Sequence, residues 1–352
     1  MSQIKIIKRT KSLKLSRYPY LRLDKNERTS PFNETFLREF KKNLKSLHFT
    51  CYPEMYSFYQ HLAKLHKLKI DHFLAISGID HGLKSCIETF STKNKNTIIL
   101  NPTFAMIKIY LDVLKKKIKL IGYDNNLNLK YKQLLKSINK QADLIILSNP
   151  NSPTGTLIDK KNLIFLLKKA KKNKIKVVID EAYFGFSSFT AISLLKKFDN
   201  LIILRTFSKS YGLAGLRAGY IISNPKNIEL LSSLKPMYEL NSLSLIAIRI
   251  LLKKKYREDY IKKTNLGKKI LINFLKRNEI PYRDTFANFI LIDFKNFSKN
   301  IIQLSKKKKI IITGGFKSSI MKKYTRVTTA PPNEIKKFIT VIKNVIQKKY
   351  QI

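Results

Sequence analysis

The sequence predicts an α/β fold with a mostly parallel sheet in a large domain, followed by a smaller α+β domain. Short runs of Ile, Leu and Val alternate with helical patterns through the middle of the chain. Because these runs are almost continuously apolar, they are typical of parallel strands buried on both faces. After a long helical stretch from about residue 243, the pattern changes to one in which helices and strands are mixed differently. Two packed units are therefore expected.

The strands of the large sheet follow one another between loops and helical patterns. They are predicted at Leu74–Gly78, Thr97–Pro102, Ile118–Gly122, Leu144–Asn149, Lys176–Asp180, Leu201–Leu204 and Ala218–Ile222. In the C-terminal part, a helix over about 262–276 precedes strands at Asn288–Asp293 and Ile310–Thr313, and a helix over about 333–349 follows the segment Tyr324–Thr328 and closes the chain. We expect residues 1–44 to form an N-terminal arm and part of the small domain, residues 45–245 the large domain, and residues 246–352 the small α+β domain.

The formal net charge is +47, from 70 Lys and Arg residues against 23 Asp and Glu residues. The lysines are scattered along the whole chain, mostly on the polar faces of helical patterns, and no zinc-finger or RNA-binding motif accompanies them. Nucleic-acid binding is therefore not expected as the main role. A positive field of this size attracts anionic, phosphorylated small molecules.

Cysteine content and hydropathy bear on the compartment. The cysteines are Cys51 and Cys86, which provide neither a disulfide framework nor a metal-binding pattern. The first eight residues lack the continuous apolar stretch of a signal peptide, and no run approaches 18 apolar residues. A cytoplasmic protein without a membrane span or a metal is expected.

The segment from Thr206 to Arg217 is the most informative part of the chain. Lys209 lies between two serines, directly after an apolar strand, and Arg217 follows eight residues later. An amine at a strand end beside a hydroxyl and a guanidinium suits pyridoxal phosphate (PLP), which is held through its aldehyde and its phosphate. A surface loop with a solvated lysine explains this segment equally well when it is taken alone.

Other polar residues follow the predicted strands, where the ligands of open α/β sheets bind. Ile79 and Asp80 open a helix and offer amides to a phosphate, although an ordinary helix cap explains them as well. Phe104 follows the next strand and is a core residue on the simpler interpretation. Asp180 ends an apolar strand, where a carboxylate needs a partner such as a protonated pyridine nitrogen.

Several segments together resemble the fold-type-I PLP-dependent aminotransferases, and most closely the histidinol-phosphate aminotransferase-like group. The similarity is carried in order by segments 23–27, 52–54, 102–104, 149–155, 180–183, 208–217, 287–289 and 325–328, and it covers nearly the whole chain. The resemblance implies a three-layer PLP-transferase large domain, PLP as cofactor, a homodimer and a place in amino-acid biosynthesis.

The resemblance implies three catalytic residues. Lys209 is expected to bind the cofactor aldehyde and then to move a proton between Cα of the substrate and C4′ of the cofactor. Asp180 is expected to keep the pyridine nitrogen protonated, and Tyr183 to donate a hydrogen bond to the phenolic oxygen.

The resemblance also implies the remaining contacts. Those to the cofactor are assigned to Ile79, Asp80, Phe104, Asn151, Ser152, Ser208 and Arg217, together with Tyr52 reaching in from the neighbouring subunit. Arg326 and Asn26 are assigned to the substrate, since a guanidinium matches a carboxylate or phosphate in two places.

Two positions depart from the group's pattern. Ser152 stands where an asparagine usually precedes Pro-Thr-Gly, so the hydrogen bond to the phenolic oxygen is expected to weaken. Thr313 stands where an arginine usually ends the small-domain strand, which puts histidinol phosphate itself in question as the substrate. Lys317 or another lysine is an alternative source of that charge.

The expected function is transfer of an amino group from a donor such as glutamate to a 2-oxo acid or a phosphorylated carbonyl compound. The alternative is a decarboxylase of a phosphorylated amino acid that resembles the threonine-phosphate decarboxylases, which share nearly all of these motifs.

Overall fold

The computed structural model describes residues 16–253 and 255–347, with the side chains of residues 346 and 347 left aside. The first eight residues, where the sequence predicts no signal peptide, lie outside the described residues. The last two residues of the predicted closing helix lie outside them as well. No helix in the described ranges combines the length and apolar character needed to cross a membrane.

The strands, numbered along the chain, match the predicted runs closely in the large sheet. They are β1 Leu21–Leu23, β2 Phe73–Ile76, β3 Asn96–Leu100, β4 Lys117–Ile121, β5 Ala142–Ser148, β6 Lys176–Asp180, β7 Leu201–Thr206, β8 Gly219–Ser223, β9 Tyr282–Arg283, β10 Phe289–Ile292, β11 Ile310–Ile312 and β12 Thr325–Thr328.

The helices surround these strands. They are α1 Glu34–Asn43, α2 Leu47–Thr50, α3 Tyr56–His66, α4 Ile79–Phe90, α5 Ala105–Val113, α6 Tyr131–Ser137, α7 Lys160–Lys172, α8 Pro225–Ser232, α9 Ser242–Lys253, α10 Tyr256–Arg277, α11 Ser298–Lys307 and α12 Pro332–Gln347. Local capping explains several starts. The Asp159 side chain caps α7 by accepting from the amide of Asn162, and Asn224 caps α8 just before a proline at the first helical position.

The large sheet has seven strands in the order β2-β8-β7-β6-β5-β3-β4. β8 runs antiparallel to both of its neighbours, and the remaining pairs are parallel. β2 and β7 flank β8 and therefore point the same way, so the carboxyl ends of all strands except β8 lie at one edge. The predicted α/β class with a mostly parallel sheet is confirmed, and apolar clusters pack on both faces of the sheet.

The smaller unit contains an antiparallel sheet in the order β12-β10-β9 and a parallel pair of β1 with β11. β1 comes from the N-terminal segment, so the chain crosses to the C-terminal unit before it enters the large sheet. Leu23 is fully buried in the same cluster as Ile290 and Phe338.

The expected domain boundaries stay predictions, and the packing of two helices bears on them. Ile246, Ile250 and Leu251 of α9 are buried in the cluster that covers one face of the large sheet, so α9 packs with that sheet although it extends past residue 245. Phe36 of α1 belongs to that cluster too, so α1 packs with the large sheet and not with the small domain. Packing of an amphipathic face decided both cases, and residue patterns alone do not show which sheet a face covers.

Candidate active site

A cleft of about 430 Å³ opens at the edge where the carboxyl ends of the parallel strands meet. Register explains why the predicted residues arrive there. Ser148 at the end of β5 is paired with Asp180 at the end of β6, and Lys209 follows the end of β7, the next strand. The predicted residues that line the cleft are Asn26, Ile79, Asp80, Phe104, Ser152, Asp180, Tyr183, Ser208, Lys209, Arg217 and Arg326.

Lys209 is partly buried in this cleft, and its Nζ donates a 2.8 Å hydrogen bond to the carbonyl oxygen of Lys25. Burial is the main reason that the pKa of Lys209 falls to about 8, and the charge of Arg326 lowers the pKa further. A lowered pKa increases the fraction of neutral amine near pH 7, which is the form that attacks an aldehyde.

Asp180 and Glu181 are neighbouring buried carboxylates with different surroundings. Glu181 forms a buried ion pair with Arg205 at 2.9 Å. Asp180 accepts hydrogen bonds from the Ser148 hydroxyl at 3.0 Å and from the Ala182 amide at 2.9 Å, and no ion pair to it is found among the described residues. Burial raises the pKa of Asp180 to about 6. Asp180 is therefore the buried carboxylate at the cleft that a cationic group of a ligand could neutralise.

The start of α4 forms an anion-binding corner of the cleft. Gly78 caps this helix with a φ of +80° and no side-chain hydrogen bond, which leaves the first amides of the helix available. Arg217 covers Gly78 and lies 3.5 Å from an Asp80 carboxylate oxygen. A Cβ at position 78 would come within 2.7 Å of Arg217 Nη2, so the close approach of the guanidinium requires glycine.

Tyr183 is held by a residue that lies far away in the sequence. Asn26 Nδ2 donates to the Tyr183 hydroxyl at 2.9 Å, while Asn26 Oδ1 accepts from the Thr328 hydroxyl at 3.0 Å. Asn26 has a φ of 55°, a left-handed conformation that asparagine tolerates better than most residues. The N-terminal segment thus orients an aromatic hydroxyl in the cleft.

Arg326 is the cation that the small sheet contributes to the cleft. Its Nη2 donates to the carbonyl oxygen of Asp24 at 2.7 Å, and its Nη1 lies 3.4 Å from the Ser152 hydroxyl. The Thr313 hydroxyl also donates to the Asp24 carbonyl, at 2.8 Å. Neither Thr313 nor the exposed Lys317 lines the cleft, so Lys317 does not supply the charge considered for it.

The structure does not bring Asn151 or Tyr52 into the cleft. The amide nitrogen of Asn151 donates to the Thr154 hydroxyl in its own loop and to the Pro102 carbonyl in the loop after β3, and its oxygen accepts from the Thr103 hydroxyl. These hydrogen bonds hold the two loops together, and the assignment of Asn151 to the cofactor stays a prediction. Tyr52 is 77% exposed and stacks on Tyr238 with ring centroids 4.4 Å apart.

Sequence reasoning missed several lining residues, among them Arg17, Lys25, Glu27, Ser148 and Thr206. Ser148 is paired with Asp180 in register, so strand alignment alone could have found it. Arg17 precedes the first strand in a segment without periodic pattern, and no signal in the sequence places it here.

The residues of the cleft fit PLP. A buried carboxylate without a cation, a partly buried amine and a guanidinium packed against a glycine at a helix start match the pyridine nitrogen, the aldehyde and the phosphate of this cofactor. The fold and this site define a PLP-dependent transferase.

Comparison with known proteins identifies the family. Residues 12–342 match the family Aminotransferase class I and II. The chain is 31% identical over 297 residues to a histidinol-phosphate aminotransferase of Caldanaerobacter subterraneus subsp. tengcongensis, covering 82% of this chain and 83% of the relative. It is also 31% identical to one from Brachyspira hyodysenteriae, covering 93% of each. The chain therefore belongs to the class I and II aminotransferases and is a PLP-dependent, histidinol-phosphate aminotransferase-like enzyme.

Solved structures show the same fold. A histidinol-phosphate aminotransferase from Sinorhizobium meliloti in complex with pyridoxal-5'-phosphate has a TM-score of 0.84 at 20% identity, covering 94% of this chain and 91% of that one. An L-threonine-O-3-phosphate decarboxylase from Porphyromonas gingivalis has a TM-score of 0.78 at 20% identity, covering 93% and 99%. That likeness concerns the fold alone, so the decarboxylase alternative has less support than the aminotransferase.

Proposed function

We propose that this aminotransferase moves an amino group between histidinol phosphate and a 2-oxo acid, with an amino acid such as glutamate as the second amino compound. The observation that carries the proposal is the arrangement of Lys209, Asp180 and Arg326 around one cleft. The names of the relatives at 31% identity supply the substrate. The positive net charge of +47 supports an anionic substrate.

When bound, PLP supplies an aldehyde that captures amines and a protonated ring that withdraws electrons from the attached carbon. Asp180 holds the proton on the ring nitrogen, since a buried carboxylate is satisfied by a cation. The Tyr183 hydroxyl accepts from Asn26 and donates its own proton to the phenolic oxygen. Lys209 carries the proton between the substrate carbon and the cofactor carbon, because it alternates between neutral amine and ammonium near its lowered pKa.

Other residues of the cleft are assigned to binding of the cofactor and the substrate. Phe104 would pack against the cofactor ring, and the amides of Ile79 and Asp80, the Ser208 hydroxyl and Arg217 would hold the cofactor phosphate. Arg326 binds the anionic end of the substrate, where its guanidinium offers two donors side by side.

A homodimer completes the proposal, with Tyr52 reaching the cofactor phosphate of the neighbouring subunit. Exposed apolar side chains surround this tyrosine, and exposed patches of this kind mark protein interfaces. Leu47 is 64%, Phe49 68% and Tyr56 67% exposed. A cytoplasmic location stays a prediction from the sequence.

The dimer is tested by mixing two defective variants, Tyr52→Ala and Lys209→Ala. If Tyr52 acts across the interface, half of the dimers after random exchange are mixed and carry one intact site, so about a quarter of the sites regain activity. Activity that does not rise above that of the Tyr52→Ala protein alone rejects this arrangement.

The reaction is tested by a screen of amino donors and keto acceptors with mass-spectrometric detection. Transamination with histidinol phosphate yields the corresponding phosphorylated ketone and a new amino acid in equal amounts. The screen also includes a phosphorylated amino acid such as threonine phosphate, and release of carbon dioxide from it without a keto product would establish the decarboxylase alternative instead. Decarboxylation breaks the bond from Cα to the carboxyl carbon whereas transamination keeps it, so product analysis separates the two reactions directly.

A further inference from the structure

The N-terminal segment supplies the cleft with a second guanidinium. Arg17 lines the cleft together with Arg326, although the two residues come from opposite ends of the chain. Position 313 contributes no charge, since it is a threonine. The Thr313 hydroxyl donates to the Asp24 carbonyl, and Thr313 does not line the cleft. Arg17 and Arg326 are thus the arginines that remain for a substrate once Arg217 is assigned to the cofactor.

Arg17 is held in place by two carboxylates. Its Nη2 contacts Asp24 Oδ1 at 2.5 Å and Glu27 Oε1 at 3.0 Å. Its Nε is buried and has no hydrogen-bond partner in the described structure, which leaves one donor of the guanidinium unsatisfied. A guanidinium fixed by two carboxylates is pre-organised for an incoming anion, because little side-chain freedom remains to be lost on binding.

The charges around Arg17 favour an anion. The Glu27 carboxylate is shared, since Arg22 Nε also donates to Glu27 Oε1 at 3.0 Å. An outer cavity of about 500 Å³ shares Arg17 and Glu27 with the cleft and is also lined by Arg22 and Arg28. The lining of this outer cavity carries the guanidinium groups of Arg17, Arg22 and Arg28 and the carboxylate of Glu27, which makes the lining net positive.

We propose that Arg17 is a specificity-determining residue that binds the distal phosphate of the amino substrate at the mouth of the cleft. The inference rests on the proposed function, because it names the residue that recognises the phosphorylated end of that substrate. It adds an N-terminal arginine to Arg326 as a determinant of which amino compounds react.

The test compares histidinol phosphate with histidinol, which lacks the phosphate, in half-reactions of the PLP-loaded enzyme followed by absorbance. The measured quantity is the ratio of kcat/KM for the two compounds. It is determined for the wild type, Arg17→Gln, Arg17→Lys and the control Arg38→Gln, which removes an exposed arginine of α1 outside the cleft.

Loss of a charge-assisted hydrogen bond lowers binding by about 10- to 100-fold. We expect Arg17→Gln to lower the ratio by that factor through KM, Arg17→Lys to lower it less, and Arg38→Gln to leave it unchanged. An equal loss for both compounds in Arg17→Gln means that the residue only supports the fold of the segment, and this result overturns the proposal. An unchanged ratio does the same.

A separate arm distinguishes failure of the proposed function. If the wild type reacts with glutamate but not with histidinol phosphate, the proposed substrate is wrong. The role of Arg17 is then judged on the ratio of glutamate to alanine, which differ in a distal carboxylate. A fall of this ratio in Arg17→Gln retains Arg17 as the distal anion site, and no fall rejects it. Lack of any reaction with both amino acids overturns the proposed function and this inference together.

Discussion

The side-chain amide of Asn26 donates a 2.9 Å hydrogen bond to the hydroxyl of Tyr183. This contact joins the N-terminal segment to the loop after β6, across 157 residues of sequence. Because Asn26 acts as the donor, the proton of the Tyr183 hydroxyl stays available for another acceptor in the cleft. The bond also fixes the direction in which this proton points.

Removal of the Tyr183 hydroxyl should therefore change the titration of the bound cofactor. A hydrogen bond to the phenolic oxygen of the cofactor stabilises the charged form of that oxygen. Tyr183→Phe should therefore raise the pKa of the bound cofactor, read from its visible absorbance, by on the order of one unit. Asn26→Ala should raise it less, because it removes only the orienting contact. A pH titration of the PLP-loaded proteins gives both values, with the exposed Tyr238→Phe as control. A lower or unchanged midpoint in Tyr183→Phe speaks against this role.

The covalent role of Lys209 can be checked chemically. The purified PLP-loaded protein should be yellow, and borohydride reduction followed by peptide mapping should place the label on Lys209. Lys25 is an internal control, since it lines the same cleft but only its carbonyl contacts Lys209. Lys209→Ala should reduce turnover by at least about 10³-fold, as expected for loss of both nucleophile and proton carrier. Label on Lys25, or near-normal turnover of the variant, is incompatible with the assignment.

The raised pKa of Asp180 leads to a prediction about the stability of the cofactor-free protein. Burial raises this pKa to about 6, whereas the value in an unfolded chain is about 3.9. The folded protein then binds this proton more tightly, so stability is lost as the pH rises from about 4 to about 6 and is not regained above. Asp180→Asn removes this cost and should stabilise the apoprotein near pH 7 by up to about 3 kcal/mol.

Urea unfolding of the apoproteins near pH 4 and pH 7 measures this effect, which should be absent at the lower pH. Glu181→Gln is the matched control at the neighbouring position. It breaks the buried pair with Arg205 and should destabilise by about 3–5 kcal/mol. If Asp180 pairs with the ring nitrogen of bound PLP as proposed, Asp180→Asn should bind the cofactor more weakly than the wild type. A destabilised Asp180→Asn apoprotein at pH 7 contradicts the reasoning.

Gly78→Ala should weaken the binding of PLP through Arg217. The added Cβ would lie 2.7 Å from Arg217 Nη2, and the φ of +80° is unfavourable for alanine. We expect the Kd for PLP to rise by about 10-fold or more, as for the loss of a charge-assisted contact to phosphate. Gly122→Ala is the control, because no atom lies within 4 Å of its added Cβ. Equal Kd values for the two variants in a fluorescence titration refute this explanation.

Much of the large sheet could be predicted from the sequence. The runs at β5, β6 and β7 are almost wholly apolar and buried. Short runs of this kind are typical of parallel strands that are buried on both faces, so the pattern predicts them well. The helices α1, α2, α3, α6, α8 and α11 were not predicted. α6 is only 7 residues long and has a single buried apolar residue, Leu134, so its pattern is too short to stand out.

The sequence by itself determined which residues end the parallel strands, and therefore that Asp180 and Lys209 share one edge of the sheet. The local pattern is enough for this inference, because the carboxyl ends of parallel strands always lie at the same edge of a sheet. The same reasoning does not tell where the Asn151 side chain points, and in the structure it bonds to its own loop and to the loop after β3.

Only the tertiary structure decided which distant residues complete the site. Arg17, Asn26 and Arg326 reach the cleft because β1 pairs with β11 and β12 lies beside β10 in the smaller unit. The pairing of β1 with β11 and the hydrogen bond between Asn26 and Thr328 join the N-terminal segment to residues about 300 positions later in the chain. These contacts are stabilised by packing between parts of the chain that are distant in the sequence. A local pattern of residues does not reveal such packing.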